Sequence, residues 1–124
     1  MVQQSAPVVS TVEGQLQGVV EEGVYAFKGI PYAQPPVGAL RWRPPAPVVP
    51  WKHLRQASTF GKSSLQSRDG CIAGGGGDPY PMGEDCLYLN VWTPRVDPQA
   101  KLPVIVWIHG GAYVIGASGL PPYD

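Results

Sequence analysis

Leu102–Ala117 reads LPVIVWIHGGAYVIGA. Inside it, Val104–Ile108 is a continuous apolar run rich in β-branched residues, the pattern of a strand covered on both faces of a sheet. The run stops at His109-Gly110-Gly111. A strand that meets two glycines leaves bare backbone at its carboxyl end, where open α/β sheets bind ligands. Glycine lets the chain turn so that N–H groups point outward and a substrate comes close. Two such donors suit a developing oxyanion. A plain strand-to-loop turn also explains these residues, because His-Gly-Gly alone is short.

Upstream, Leu87–Thr93 (LYLNVWT) alternates loosely and predicts a second strand, followed by the polar turn region Pro94–Pro103. At the other end, Val8–Val12, Leu16–Val20 and Val24–Lys28 are short runs separated by Gly14 and Gly23. They predict antiparallel strands in a small meander. Between these ends, residues 29–50 hold seven of the fifteen prolines. Proline fixes φ and removes a donor, so this is an ordered, extended path. Its Ile30, Tyr32, Leu40 and Trp42, with Trp51 beyond, indicate a segment packed on a body. Trp51–Phe60 reads as a short helix or an irregular turn. Residues 62–83, with glycine at 74–77, read as a Gly-rich loop. No Lys-Ser or Lys-Thr follows the glycines, so it is not a phosphate loop.

Glycine (16) and proline (15) make up a quarter of the 124 residues. The longest stretches free of both are ten residues, which excludes coiled coils, helical bundles and helical repeats. A 44% hydrophobic share and zero formal net charge argue against plain disorder. The charge balance gives no footprint for nucleic acid. No apolar run approaches the roughly 20 residues of a membrane span. Residues 1–7 lack the basic and apolar regions of an intact signal peptide.

Four stretches, in order, resemble the type-B carboxylesterase family, which includes cholinesterases and nitrobenzyl esterases. They are FKGIPYAQPPVGALRWRPP (Phe27–Pro45), Trp51 through Phe60-Gly61, EDCLYLNVWTP (Glu84–Pro94) and Leu102–Ala117. The resemblance implies an α/β hydrolase fold, N-terminal portion only. It would be β-rich, with antiparallel N-terminal strands, a Pro-rich packed loop and central-sheet strands near 87–93 and 103–109. Residues 1–124 would be an incomplete N-terminal part of one domain, needing its remainder to fold. Gly110-Gly111-Ala112 looks like the oxyanion tripeptide, with Gly111 and Ala112 N–H as donors. Arg41 and Glu84 match a structural ion pair that holds the proline-rich segment against the next strand.

Cys86 matches half of a family disulfide. The partner cysteine of F-G-x-x-C-x-Q is Ser64 here (FGKSSLQ), and Cys71 follows seven residues later. A Cys71–Cys86 disulfide is the expectation, with two free thiols as the alternative. A bridge would imply a secreted or periplasmic protein, and free thiols a cytoplasmic one.

The family's G-x-S-x-G nucleophile elbow has no counterpart in these residues. Ser118 has the wrong spacing and reads as a loop serine. Neither His53 nor His109 matches the catalytic histidine, and no triad member is present. No cofactor is implied, and no ligand spacing supplies a metal set. No tryptophan lies between Ser64 and Cys86, so a choline-ester preference is not indicated. The expectation is a serine esterase acting on small-molecule carboxylic esters, with the isolated chain inactive. The alternative is a catalytically dead, cholinesterase-like binding or adhesion domain.

Overall fold

The computed structural model describes residues 5–123. Two three-stranded sheets carry most of the regular structure. Their strands are β1 (Val8–Ser10), β2 (Gln15–Gln17), β3 (Val19–Glu21), β4 (Val24–Pro31), β5 (Arg55–Gln56) and β6 (Tyr88–Thr93). The first sheet runs β1-β2-β5: β1 pairs antiparallel with β2, and β5 joins β2 in parallel. The second runs β3-β4-β6 and is antiparallel throughout.

The apolar run 16–20 is split between the two sheets at Gly18. A Cβ there would lie 2.4 Å from the Ala26 carbonyl oxygen and 2.8 Å from the Phe27 ring. Only a glycine lets the chain pass that close. The β3–β4 hairpin turns on Glu22 (φ 48) and Gly23 (φ 83), the double positive φ of a two-residue turn that suits the strand twist. Leu16, Phe27 and Ala57 form the core between the sheets, with Val9, Tyr25, Ile30 and Trp51 packed on it. Lys28 is also buried (6% exposed). It meets Glu21 at 2.8 Å and lies 4.5 Å from the Phe60 ring centre, consistent with the rule that a buried charge is paired.

Three segments differ from the sequence expectations. Trp51–Phe60, expected as a short helix or an irregular turn, is irregular but for the two-residue β5, and Lys28 bridges to Ser58 beyond it. The Gly-rich loop contains a helix, α1 (Arg68–Ala73). Ser67 caps it by accepting from Gly70 N–H at 3.1 Å, and Cys71 anchors it in a second cluster with Ala117 and Leu120. Capping and one buried side chain thus order a segment whose composition predicts a loop.

The third difference is the run expected to form a strand at 103–109. It pairs with no strand among the described residues. Val104, Ile105, Val106 and Ile108 are 80–92% exposed. A strand of this kind requires hydrogen-bonding neighbours at its edges and cover on both faces, and nothing in residues 5–123 provides either. Trp107 packs against Tyr123 with ring centres 4.4 Å apart and planes tilted by 57°.

The proline-rich segment leaves β4 and turns at a 3-10 element, Gly38–Leu40. Gln34 N–H donates to Ala46 C=O across it. At its end, Trp51 is fixed twice to the β1–β2 hairpin, through its backbone N–H to Glu13 C=O in the turn and its indole N–H to Gln15 C=O in β2.

Candidate active site

After His109 the chain turns back on itself within a few residues. Gly111 C=O accepts from Val114 N–H (2.9 Å) and Ile115 N–H (3.1 Å). Ala112 (φ 53) and Tyr113 (φ 61) are both left-handed, a conformation that costs about 1–3 kcal/mol at a non-glycine residue. The turn closes tightly: a Cβ on Gly111 (φ 133) would sit 1.7 Å from the Ile115 carbonyl oxygen. Only glycine fits there.

This turn orients two peptide units. In a planar trans peptide the N–H points opposite to the C=O. The Gly111–Ala112 unit has its carbonyl tied to Val114 and Ile115, so Ala112 N–H faces the other way. The Gly110–Gly111 unit has its carbonyl 2.9 Å from His109 Nδ1, so Gly111 N–H is also turned out. Among the described residues, neither N–H meets an acceptor. Gly110 itself has open space where a Cβ would stand.

The returning limb, Ile115–Leu120, is anchored at three points. Gln66 Oε1 accepts from Gly116 N–H at 2.7 Å, and Gln66 Nε2 donates to Gly116 C=O at 3.0 Å. Asn90 Nδ2 donates to Ser118 Oγ at 3.1 Å. Ala117 and Leu120 are buried against Cys71, with Ile115 beside them. Ser118 is therefore engaged in holding the loop. Gln66 stands at the closing Gln of the F-G-x-x-C-x-Q pattern, which gives it no role, and nothing in LYLNVWT marks Asn90 as a carboxamide that reaches across the fold.

Asn90 owes its position to an irregularity in the sheet. Phe27 pairs with Val91 and Ile30 with Leu89, so two β4 residues oppose Asn90 alone. In such a bulge one backbone donor loses its ladder partner. Gly29 (φ 69) sits there, and its N–H donates to Asn90 Oδ1 at 2.9 Å. The same carboxamide thus completes the sheet and reaches the glycine loop.

Arg41 Nε forms an ion pair with Glu84, linking the proline-rich segment to the residues before β6. Both side chains are more than a third exposed, so the pair contributes little beyond positioning. The guanidinium also lies 5.1 Å from the Trp42 ring centre.

The expected Cys71–Cys86 disulfide is not formed; both are free thiols. Cys71 is buried in the Leu120 cluster, while Cys86 lies in a different environment, beside Tyr32, Asp85 and Glu84. Partial burial pushes the Cys86 thiol pKa up, and the two carboxylates push it further. The argument for an oxidising compartment falls with the bridge.

Among the described residues no cluster of three His, Cys, Asp or Glu side chains suits a metal, and no helix is long and apolar enough to cross a membrane. A groove of about 350 Å³ opens between β1, β4 and β6, lined by Val9, Leu16, Phe27, Ile30 and Val91 among others. It shares no residue with the glycine loop.

Comparisons with known proteins identify the family and the fold. Over 120 residues the chain is 48% identical to phenmedipham hydrolase of Pseudarthrobacter oxydans, covering 94% of this chain and 24% of that protein. It is 42% identical over 117 residues to para-nitrobenzyl esterase of Bacillus subtilis, with the same coverage. The chain therefore spans about a quarter of the length of these relatives. A crystal structure of a Geobacillus stearothermophilus carboxylesterase superposes with a TM-score of 0.80 at 43% identity, covering 94% of this chain and 22% of that one. A PNB esterase structure superposes with a TM-score of 0.85 at 40% identity, covering 97% of this chain and 24% of that one. The architecture is a β-rich N-terminal portion of the α/β-hydrolase fold. Residues 5–124 match the carboxylesterase family, and the chain belongs to that family.

Proposed function

We propose that the chain supplies the oxyanion-binding loop of a serine carboxylesterase acting on small-molecule carboxylic esters. One observation carries the reading: Gly111 and Ala112 N–H point out of the turn and meet no acceptor among the described residues, while the carbonyls of the same peptides are engaged. Two preorganised, adjacent donors suit the charge that forms when a nucleophile attacks an ester carbonyl. The name of one relative, para-nitrobenzyl esterase, agrees with ester hydrolysis, and that of the other, phenmedipham hydrolase, with hydrolysis.

In this reaction a serine oxygen attacks the acyl carbon and its proton passes to a histidine base. The carbonyl oxygen becomes an oxyanion, held by Gly111 and Ala112 N–H and a third donor next to the serine. The tetrahedral species expels the alcohol, which takes the proton, and leaves an acyl-enzyme. Water then attacks the acyl carbon and releases the acid. Each donor is worth about 3–4 kcal/mol at the transition state. Gly110 contributes through its carbonyl, which His109 Nδ1 holds at 2.9 Å. Arg41 and Glu84 act architecturally.

The serine elbow and its partners do not occur in residues 1–124, so these residues alone hydrolyse no ester. The test is hydrolysis of p-nitrophenyl acetate by the full-length protein carrying this chain. Turnover with a burst of one nitrophenol per active site is expected. Absence of turnover, with a substituted serine in the elbow, would instead assign a binding domain.

A further inference from the structure

We infer that Gln66 is a positioning residue for the oxyanion donors, acting through Gly116. This rests on the proposed function. The side chain makes three hydrogen bonds: Gly116 N–H to Oε1 (2.7 Å), Nε2 to Gly116 C=O (3.0 Å), and Nε2 to Ser64 C=O (3.1 Å). It pairs with both backbone groups of one residue, as a neighbouring strand would. Both amide hydrogens and the amide oxygen are used, so only a carboxamide of this length, in this orientation, serves.

Gly116 in turn stands against the donor peptides. Its φ is +117, and a Cβ would lie 2.4 Å from the Gly110 oxygen and 2.6 Å from His109 Nδ1. The Gly110 oxygen and the Gly111 N–H belong to one rigid plane, so fixing Gly116 limits rotation of that plane. The preceding residue, Ile115, has its N–H on the Gly111 oxygen and its carbonyl oxygen in the space that a Gly111 Cβ would need. This restrains the Gly111–Ala112 plane. Both planes that carry a proposed donor therefore lean on residues 115–116, and Gln66 is the side chain that grips Gly116. Gln66 is only partly buried and touches no donor itself, which makes its role indirect.

The test uses the full-length protein with Gln66→Glu and Gln66→Met. Glutamate keeps the acceptor for Gly116 N–H but sets a carboxylate against two carbonyls, and methionine keeps the length but removes all three bonds. Active sites are counted by titration to completion with a fluorophosphonate, so misfolded protein does not enter the rates. Expected for both variants is a fall in kcat per titrated site of about tenfold or more, with KM for p-nitrophenyl acetate within about twofold. Affinity for a trifluoromethyl ketone, whose adduct carries the oxyanion, should fall by the same factor, with affinity for the matching methyl ketone unchanged. Fewer titratable sites with kcat per site and trifluoromethyl ketone affinity unchanged would overturn the inference, since that is what a purely structural contact gives. If the wild-type protein hydrolyses no ester, the proposed function fails and this inference with it. If the wild type is active and the variants match it, this inference alone fails.

Discussion

Asn90, in the middle of β6, donates from its carboxamide to the hydroxyl of Ser118, 28 residues later, at 3.1 Å. The oxygen of the same carboxamide takes the Gly29 N–H that the bulge in β4 leaves without a ladder partner. One side chain thus joins the antiparallel sheet to the returning limb of the glycine loop. Truncating it strands two partly buried groups, whereas truncating Ser118 strands one. Asn90→Ala should cost about 1–3 kcal/mol of unfolding free energy in the full-length protein, and Ser118→Ala about 0.5–1.5 kcal/mol. A double-mutant cycle by denaturant unfolding should give a coupling between them. Ser118→Ala should also keep esterase turnover, because this hydroxyl is a structural acceptor. Loss of all turnover in that variant would show that Ser118 does chemistry.

The glycines of the loop are not equivalent. A methyl group on Gly111 would overlap the Ile115 carbonyl, and its φ of +133 disfavours any L side chain. Gly110 has free space at the same position. Gly111→Ala should therefore lower kcat for ester hydrolysis by the full-length protein by about 10²-fold or more. Gly110→Ala should leave stability within about 0.5–1 kcal/mol of wild type. Thermal unfolding and steady-state kinetics on the pair check the order; the reverse order would contradict the turn geometry.

The two cysteines are free, which has a direct chemical readout. Titration of the denatured protein with Ellman's reagent, without reductant, should give both Cys71 and Cys86 as thiols. In the native state Cys71 is buried and Cys86 is held protonated by burial and by Asp85 and Glu84. Alkylation of Cys86 by iodoacetamide at pH 8 should thus be slower than for a free cysteine. The sign for stability follows from the raised pKa. The folded state favours the protonated thiol, so this contribution is present below the thiol's unfolded pKa. It is lost as pH rises through the folded value. Cys86→Ser should flatten the alkaline limb of the stability profile.

Residues 104–108 bear on folding. With Val104, Ile105, Val106 and Ile108 exposed and unpaired, the 124 residues alone leave a strand-forming apolar run in water. Such a run is an association hazard. The isolated chain should show no cooperative thermal transition and should bind a hydrophobic dye. Sharp, dispersed amide resonances from a monomer would contradict this.

Some of this was legible in the residues and some was not. The strand at Leu87–Thr93 announces itself by alternation, and the hairpin at Glu22-Gly23 by its turn. The four ordered motifs point to the family by residue identity alone. The run Val104–Ile108 has the composition of a buried strand, but pairing is a property of neighbours, and the described residues offer none. The helix at Arg68–Ala73 was hidden by four following glycines, because one cap and one buried thiol outweigh composition. The family match at Cys86 predicts a bridge to Cys71, yet Cys71 is committed to Leu120 and Ala117. Gln66 and Asn90 act at separations of 50 and 28 residues, and no local pattern records such contacts.

The proposed oxyanion site is the pair of backbone N–H groups of Gly111 and Ala112. It is tested most directly by a crystal structure of the full-length protein inactivated with a phosphonate ester, whose phosphoryl oxygen stands in for the oxyanion. The prediction is that this oxygen lies about 2.7–3.1 Å from both backbone nitrogens. An adduct whose oxygen points away from Gly111 and Ala112, bonded to other donors, would contradict it.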